Sequence, residues 1–192
     1  MNEQEGCSLP MSPSWADLLR EHRQVVDASE MLLPTLEAVS GALRYCLKKG
    51  GKILVCGNGG SHAHAQHFVA ELVVRYKKNR DPMSAIALGS NPATSTAVMN
   101  DLNPKDLFVR EAKALLHPGD LLMGISTSGV SANVCRALTV ARELKAVTVG
   151  ITGQAGMGVK VDHEIRVPST HTARIQEMHM VILHGLCEYL DA

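Results

Sequence analysis

Two short stretches place glycine and hydroxyl residues directly ahead of helical segments: Gly57-Asn58-Gly59-Gly60-Ser61 and Ser126-Thr127-Ser128-Gly129-Val130-Ser131. A helix N-terminus presents unpaired N–H groups and the positive end of its dipole, so it attracts anions. Glycines let the backbone approach such an anion, and Ser or Thr hydroxyls add donors. Turn and capping demands alone would explain one such stretch. Two of them, each following a different apolar run, point to a phosphate-bearing ligand. Neither contains G-x-x-x-x-G-K-[ST] or completes G-x-G-x-x-G, so nucleotide cofactors are disfavoured.

Ionisable residues gather on two helical segments. His67 and Glu71 are four apart on the segment after the first loop, which places them on one helix face. His62 and His64 lie beside that loop and receive no role. The last segment carries Arg174, Gln176, Glu177, His179 and His184 among Ile175, Met178, Met180, Val181, Ile182, Leu183 and Leu186. Polar groups on so apolar a helix need partners, and a lone histidine there reads as a hydrogen-bonded core residue. Gln176 and His184 are eight apart, about 12 Å of helical rise. Both must reach toward one ligand, or neighbouring chains complete the site.

The elements that hold these residues follow from apolar periodicity. Residues 1–11 are polar and read as a loose tail. Ser14 with Asp17 resembles a capping box opening a first helix that ends near Pro34. A second helix runs from Leu36 through Val39, Leu43 and Leu47 to Lys48, Lys49 and a glycine stop. From Lys52 onward short apolar runs alternate with helical segments: KILVCG, helix 61–76, SAIALG, helices within 93–116, DLLMGIS, helix 131–145, AVTVGIT, EIRVP and helix 171–190. Continuous apolar runs of this kind are strands buried on both faces. The expectation is a three-layer α/β/α sandwich with a five-stranded parallel sheet and right-handed crossovers, flavodoxin-like in its order 2-1-3-4-5. It forms a single domain, with N-terminal helices over 14–49 and the α/β core over 50–192.

Composition narrows the function. The 192 residues hold 19 basic and 19 acidic side chains with no run of like charge, so nucleic acid and anionic membranes are not the expected partners. Aromatic residues are only 3% of the chain, which suits helices packed closely on a parallel sheet. Cys7, Cys46, Cys56, Cys135 and Cys187 are scattered without C-x-x-C spacing and read as buried thiols in a reducing compartment. The start, MNEQEG, is acidic where a signal peptide is basic, and no apolar stretch approaches the roughly 20 residues of a membrane span. A cytoplasmic location is expected.

Five segments together resemble a known family. GGKILVCGNGGSHAHAQHFVAEL, AVMND at 97–101, GDLLMGISTSGVSANV at 119–134, EIRVPS at 164–169 and ARIQEMHM at 173–180 occur in the order found in sugar isomerase (SIS) domain proteins. Among these they are most similar to bacterial phosphoheptose isomerases, over about Gly50 to Asp191. That family converts sedoheptulose 7-phosphate to D-glycero-D-manno-heptose 7-phosphate for lipopolysaccharide and related glycans. Its members bind zinc and form homotetramers with active sites at subunit interfaces.

The resemblance implies roles residue by residue. It sets the sugar phosphate against Gly59, Gly60, Ser61, Ser126, Thr127, Ser128 and Ser131, with Asn58, Asn100, Asp101 and Gln176 also on the substrate. It makes Glu71 the catalytic base and His184 its partner acid. His67, Glu71, Gln176 and His184 become the ligands of one Zn²⁺ per subunit, an N/O set that zinc accepts. Aldose–ketose isomerisation through an enediol needs such a base and a proton donor at the oxygens.

Three departures stand out. Val130 replaces the family's usual Asn in STSGNS, Ala173 stands where many isomerases have Asp, and GQAGMGVKVDHE is shorter than usual. A rival resemblance is to the non-enzymatic DnaA initiator-associating protein, whose last helix also reads like ARIQEMHM. Glu71 and His184 discriminate against it, as they do against a sugar-phosphate-sensing regulatory module.

Overall fold

The computed structural model describes residues 14–192; the expected tail at 1–11, and Cys7 in it, lie outside the described residues. The first helix, α1 (Trp15–Ala28), opens on the expected capping box, with Asp17 N–H donating to Ser14 Oγ at 3.2 Å and Ser14 N–H donating to Asp17 Oδ2 at 3.3 Å. It stops before Pro34. A 3₁₀ turn over Ser29–Leu32 follows, and Ser29 Oγ donates to the Val25 carbonyl at 2.7 Å. Helix α2 (Leu33–Lys48) then starts with Pro34 inside its first turn, where a missing N–H costs nothing. The proline thus begins the second helix instead of ending the first.

The expected strands all form: β1 (Ile53–Gly57), β2 (Ala85–Ala87), β3 (Leu121–Ser126), β4 (Val147–Thr152) and β5 (His163–Arg166). They make one parallel sheet in the order β2-β1-β3-β4-β5, the flavodoxin-like order. Ile53 lies opposite both Ala85 and Leu121, Leu121 opposite Val147, and Val149 opposite His163. Helices α3 (Gly60–Val73), α4 (Pro92–Asp101), α5 (Leu107–Leu115), α6 (Ala132–Glu143) and α7 (Thr172–Asp191) complete the chain.

Side chains alternate across the sheet and build two apolar layers. Ile53, Val55, Leu121, Met123 and Ile125 pack with α2, α3 and α7; Leu54, Cys56 and Leu122 pack with α5 and α6. Gly124 lets α6 rest directly on β3, since a Cβ there would lie 2.8 Å from Val134 Cγ1 and Leu138 Cδ1. Burying each such leucine is worth about 1.5–3 kcal/mol. Cys46, Cys56, Cys135 and Cys187 are free thiols, and burial pushes Cys187 up to about 12, so they are inert packing residues. Among the described residues no helix is long and apolar enough to cross a membrane.

The chain reverses winding direction between β1 and β3. Loops at the carboxyl ends of those two strands face the crevice where open α/β sheets bind ligands. They are the two glycine- and hydroxyl-rich stretches.

Candidate functional site

The first loop turns into α3 within three residues. Gly59 takes φ +52°, a left-handed value that favours glycine, and Ser61 N–H donates to the Asn58 carbonyl at 2.9 Å. Ser61 is buried at the helix start. In the second loop Ser126 Oγ lies 3.0 Å from Ser131 Oγ and 3.5 Å from Ser128 Oγ, and accepts from Gly129 N–H at 3.1 Å. Three of the expected hydroxyls therefore converge. Gly129 sits at φ +71° with no room for a side chain, because a Cβ would collide with the Gly156 carbonyl. Thr127 braces the loop from below, its carbonyl accepting from Gly153 N–H at 3.2 Å.

The two loops are joined. Asn58 Nδ2 donates to Asn133 Oδ1 at 2.9 Å, and Asn133 Nδ2 donates to Asn58 Oδ1 at 2.7 Å. Asn133 carries no role in the sequence reading, although its place in the first turn of α6 marks it as a helix-start group.

His67 and Glu71 share the face of α3 that packs on α7, with His67 Nε2 3.4 Å from Glu71 Oε1. From α7, His184 Nε2 reaches within 2.9 Å of His67 Nε2. One ligand atom from each of the three lies within 4.8 Å of the others, and all three are half-buried. Tyr76 stacks on the His184 ring with centroids 5.8 Å apart and planes at 29°. Beyond α3, which ends at Val73 and not at 76, Arg80 donates to the Leu72 carbonyl at 2.9 Å and the Glu71 carbonyl at 3.0 Å. An arginine of the following loop thus satisfies carbonyls left open at the helix end.

Gln176 lies two turns before His184 and faces the first loop: a Cβ on Gly60 would stand 2.6 Å from its Nε2. So α7 spans the site, with an amide over the helix start and an imidazole over the His67–Glu71 pair. Its other polar residues serve packing. Arg174 donates to the Leu18 carbonyl at 2.7 Å and to Glu177 at 2.6 Å, and Glu177 meets His22 Nδ1 at 2.8 Å, tying α1 to α7. His179 is fully buried beside the Thr152 carbonyl, and burial drives its pKa down to about 4, so it is a neutral core imidazole. His64 is shifted down by burial and then by nearby His67.

Asn100 and Asp101 sit at the end of α4, where Asn100 Nδ2 donates to Asp101 Oδ1 at 2.7 Å. Both are exposed and pair with each other, not with either loop. Val130 is exposed at the rim.

Known proteins resemble this chain in sequence and in fold. The SIS domain matches residues 19–153. Phosphoheptose isomerase 1 of Campylobacter jejuni is 49% identical over 174 residues, covering 90% of this chain and 94% of that protein. Phosphoheptose isomerase of Shewanella denitrificans is 44% identical, covering 86% of this chain and 87% of its own length. Among solved structures, phosphoheptose isomerase GmhA from Neisseria gonorrhoeae superposes with a TM-score of 0.84 at 36% identity, over 92% of this chain and 96% of that one. A phosphoheptose isomerase from Francisella tularensis gives 0.85 at 36% identity, over 92% and 95%.

Proposed function

This chain belongs to the SIS domain family as an aldose–ketose isomerase of the phosphoheptose isomerase type, and from that premise we propose that Glu71 and His184 are its proton-transfer pair. The substrate is sedoheptulose 7-phosphate and the product D-glycero-D-manno-heptose 7-phosphate. The observation that carries the assignment is the meeting of His67, Glu71 and His184 from α3 and α7, with α3 itself starting at one of the two hydroxyl-lined loops.

The phosphate is held by Ser61, Ser126, Thr127, Ser128 and Ser131 together with the backbone at Gly59 and Gly60. The sugar then extends under Gln176 toward the α3–α7 seam. Glu71 takes a proton from C1 while His184 gives one to the C2 oxygen, forming the enediol. Delivery of the Glu71 proton to C2, with return of the C1 hydroxyl proton to His184, leaves the aldehyde. Glu71 Oε1 faces His67, so we assign the moving proton to Oε2.

The donor set fits a zinc ion. Two imidazoles and a carboxylate with a fourth position open are the usual catalytic pattern; the resemblance offers Gln176 for that fourth position, although its amide faces Gly60 two turns before His184. A bound zinc would polarise the sugar oxygens and favour the enediol.

Exposed Trp15, Leu19, Met31 and Leu33 on the N-terminal helices, and Val181 and Tyr189 on α7, are apolar surface that self-association would cover, which supports the homotetramer that the resemblance implies. In that reading Asn100 and Asp101 complete the site of a neighbouring subunit. Analytical ultracentrifugation giving a monomer mass would remove it. The relatives named above are isomerases, which favours enzyme over initiator-associating protein.

The decisive assay follows sedoheptulose 7-phosphate by NMR with zinc supplied. The protein should form the aldoheptose, and Glu71→Gln or His184→Gln should each reduce kcat by roughly 10²–10⁴-fold. Absence of turnover by the unaltered protein would refute the reading.

A further inference from the structure

We propose that Asn133 is a positioning residue of the isomerase: through its reciprocal amide pair with Asn58 it holds the start of α6 against the start of α3, so that both loops act on one phosphoryl group. The proposal rests on the sugar-phosphate reading above. Its own ground is the geometry of the pair. Both polar atoms of the Asn58 amide are taken up by Asn133, at 2.9 and 2.7 Å, and the Asn58 carbonyl separately accepts from Ser61 N–H at 2.9 Å. One residue thus opens α3 with its main chain and grips α6 with its side chain.

Electrostatics explains why a tie is needed. Each helix start carries roughly half a positive charge, so two of them aimed at one crevice repel when no anion lies between. An amide pair is neutral, self-complementary and holds only in one relative position of the two groups, since each carboxamide must donate with nitrogen and accept with oxygen. Asn133 Oδ1 also accepts from Val134 N–H at 3.0 Å, which fixes the carboxamide to the first turn of α6. In consequence the Asn58 side chain contributes to the site as a tie, and its contact with substrate is through the main chain.

A double-mutant cycle tests this. Asn133→Ala, Asn58→Ala and the double variant are compared with the unaltered protein for kcat, KM toward sedoheptulose 7-phosphate, inhibition by inorganic phosphate and melting temperature. Each single variant should raise both KM and the phosphate inhibition constant roughly fivefold to thirtyfold, the loss of one to two hydrogen bonds, with kcat within about threefold. The double variant should be no worse than either single one, because each residue acts through the other. Additive losses, or a kcat loss at constant KM, would overturn the proposal. If Asn133→Ala does not fold, Asn133→Ser carries the same comparison. Failure of the unaltered protein to turn over substrate or bind phosphate sinks the isomerase reading and this inference together. Full phosphate affinity in Asn133→Ala sinks the tie alone.

Discussion

His67 Nε2 and His184 Nε2 face each other across 2.9 Å, on helices whose contributing residues are 117 positions apart in the chain. Two imidazole nitrogens at that distance cannot both carry a proton toward the other. Either one donates to the other, or both lone pairs face a cation. With Glu71 Oε1 at 3.4 Å from His67, the carboxylate adds the negative charge that a dication requires.

Zinc should therefore stabilise the folded protein. At 100 times its dissociation constant the gain is about 2.7 kcal/mol, if the unfolded chain does not bind it. Differential scanning calorimetry should show an upward shift of several degrees, abolished in His67→Ala. An equal shift in that variant would place the zinc elsewhere.

The sheet was legible because its strands are buried on both faces, so Ile53 to Cys56 and Leu121 to Ile125 read as unbroken apolar runs. The ends of helices were less so. Pro34 signals a boundary without saying on which side, and α3 ends where Arg80, from a later loop, takes up the carbonyls of Glu71 and Leu72. His67 and Glu71 could be paired from their spacing alone, whereas Asn133 and Tyr76 matter through partners that only the tertiary fold brings near. Spacing also could not separate Gln176 and His184, which face the site, from His179, which is core.

Gly60→Ala should separate binding from stability. The added Cβ would stand 2.6 Å from Gln176 Nε2, the far end of a flexible side chain, and alanine suits a first helical turn. The melting temperature should change by no more than about 2 °C, a cost within 0.5 kcal/mol. KM should rise severalfold as the amide is pushed off the loop. Unchanged KM in steady-state kinetics would show that Gln176 does not touch the sugar.

The end of α7 carries a pH-dependent contribution. Asp191 accepts from the Lys77 and Lys78 N–H groups at 2.8 and 3.0 Å and from Arg80 Nε at 2.7 Å. The Lys78 N–H first, and Arg80 after it, hold its carboxyl at about 2, below the ordinary 3.8. A depressed folded value means stability present above pH 4 and lost as pH falls toward 2. Asp191→Asn should cost about 2–4 kcal/mol at pH 7 by urea unfolding, since it leaves Arg80 without its counter-charge. The gap to the unaltered protein should narrow at pH 3. A gap of constant size would mean the carboxylate charge is irrelevant.

Tyr76 should matter through its ring and not its hydroxyl. At 5.8 Å and 29° it covers one face of the His184 imidazole, while the His67 ring meets the same imidazole edge-on with centroids 5.1 Å apart. Between them they leave His184 little freedom to rotate away from Glu71. Tyr76→Phe keeps the stack and should keep kcat within about twofold. Tyr76→Ala frees the imidazole and should lower kcat about tenfold, as a misplacement of roughly 1 Å can cost more than that. It should also lose about 1–3 kcal/mol, because Tyr76 packs on the apolar layer beneath α3 and α7. Kinetics run well below each variant's melting temperature separate the two effects: a Phe variant as impaired as the Ala variant would mean the hydroxyl, not the stack, serves the reaction.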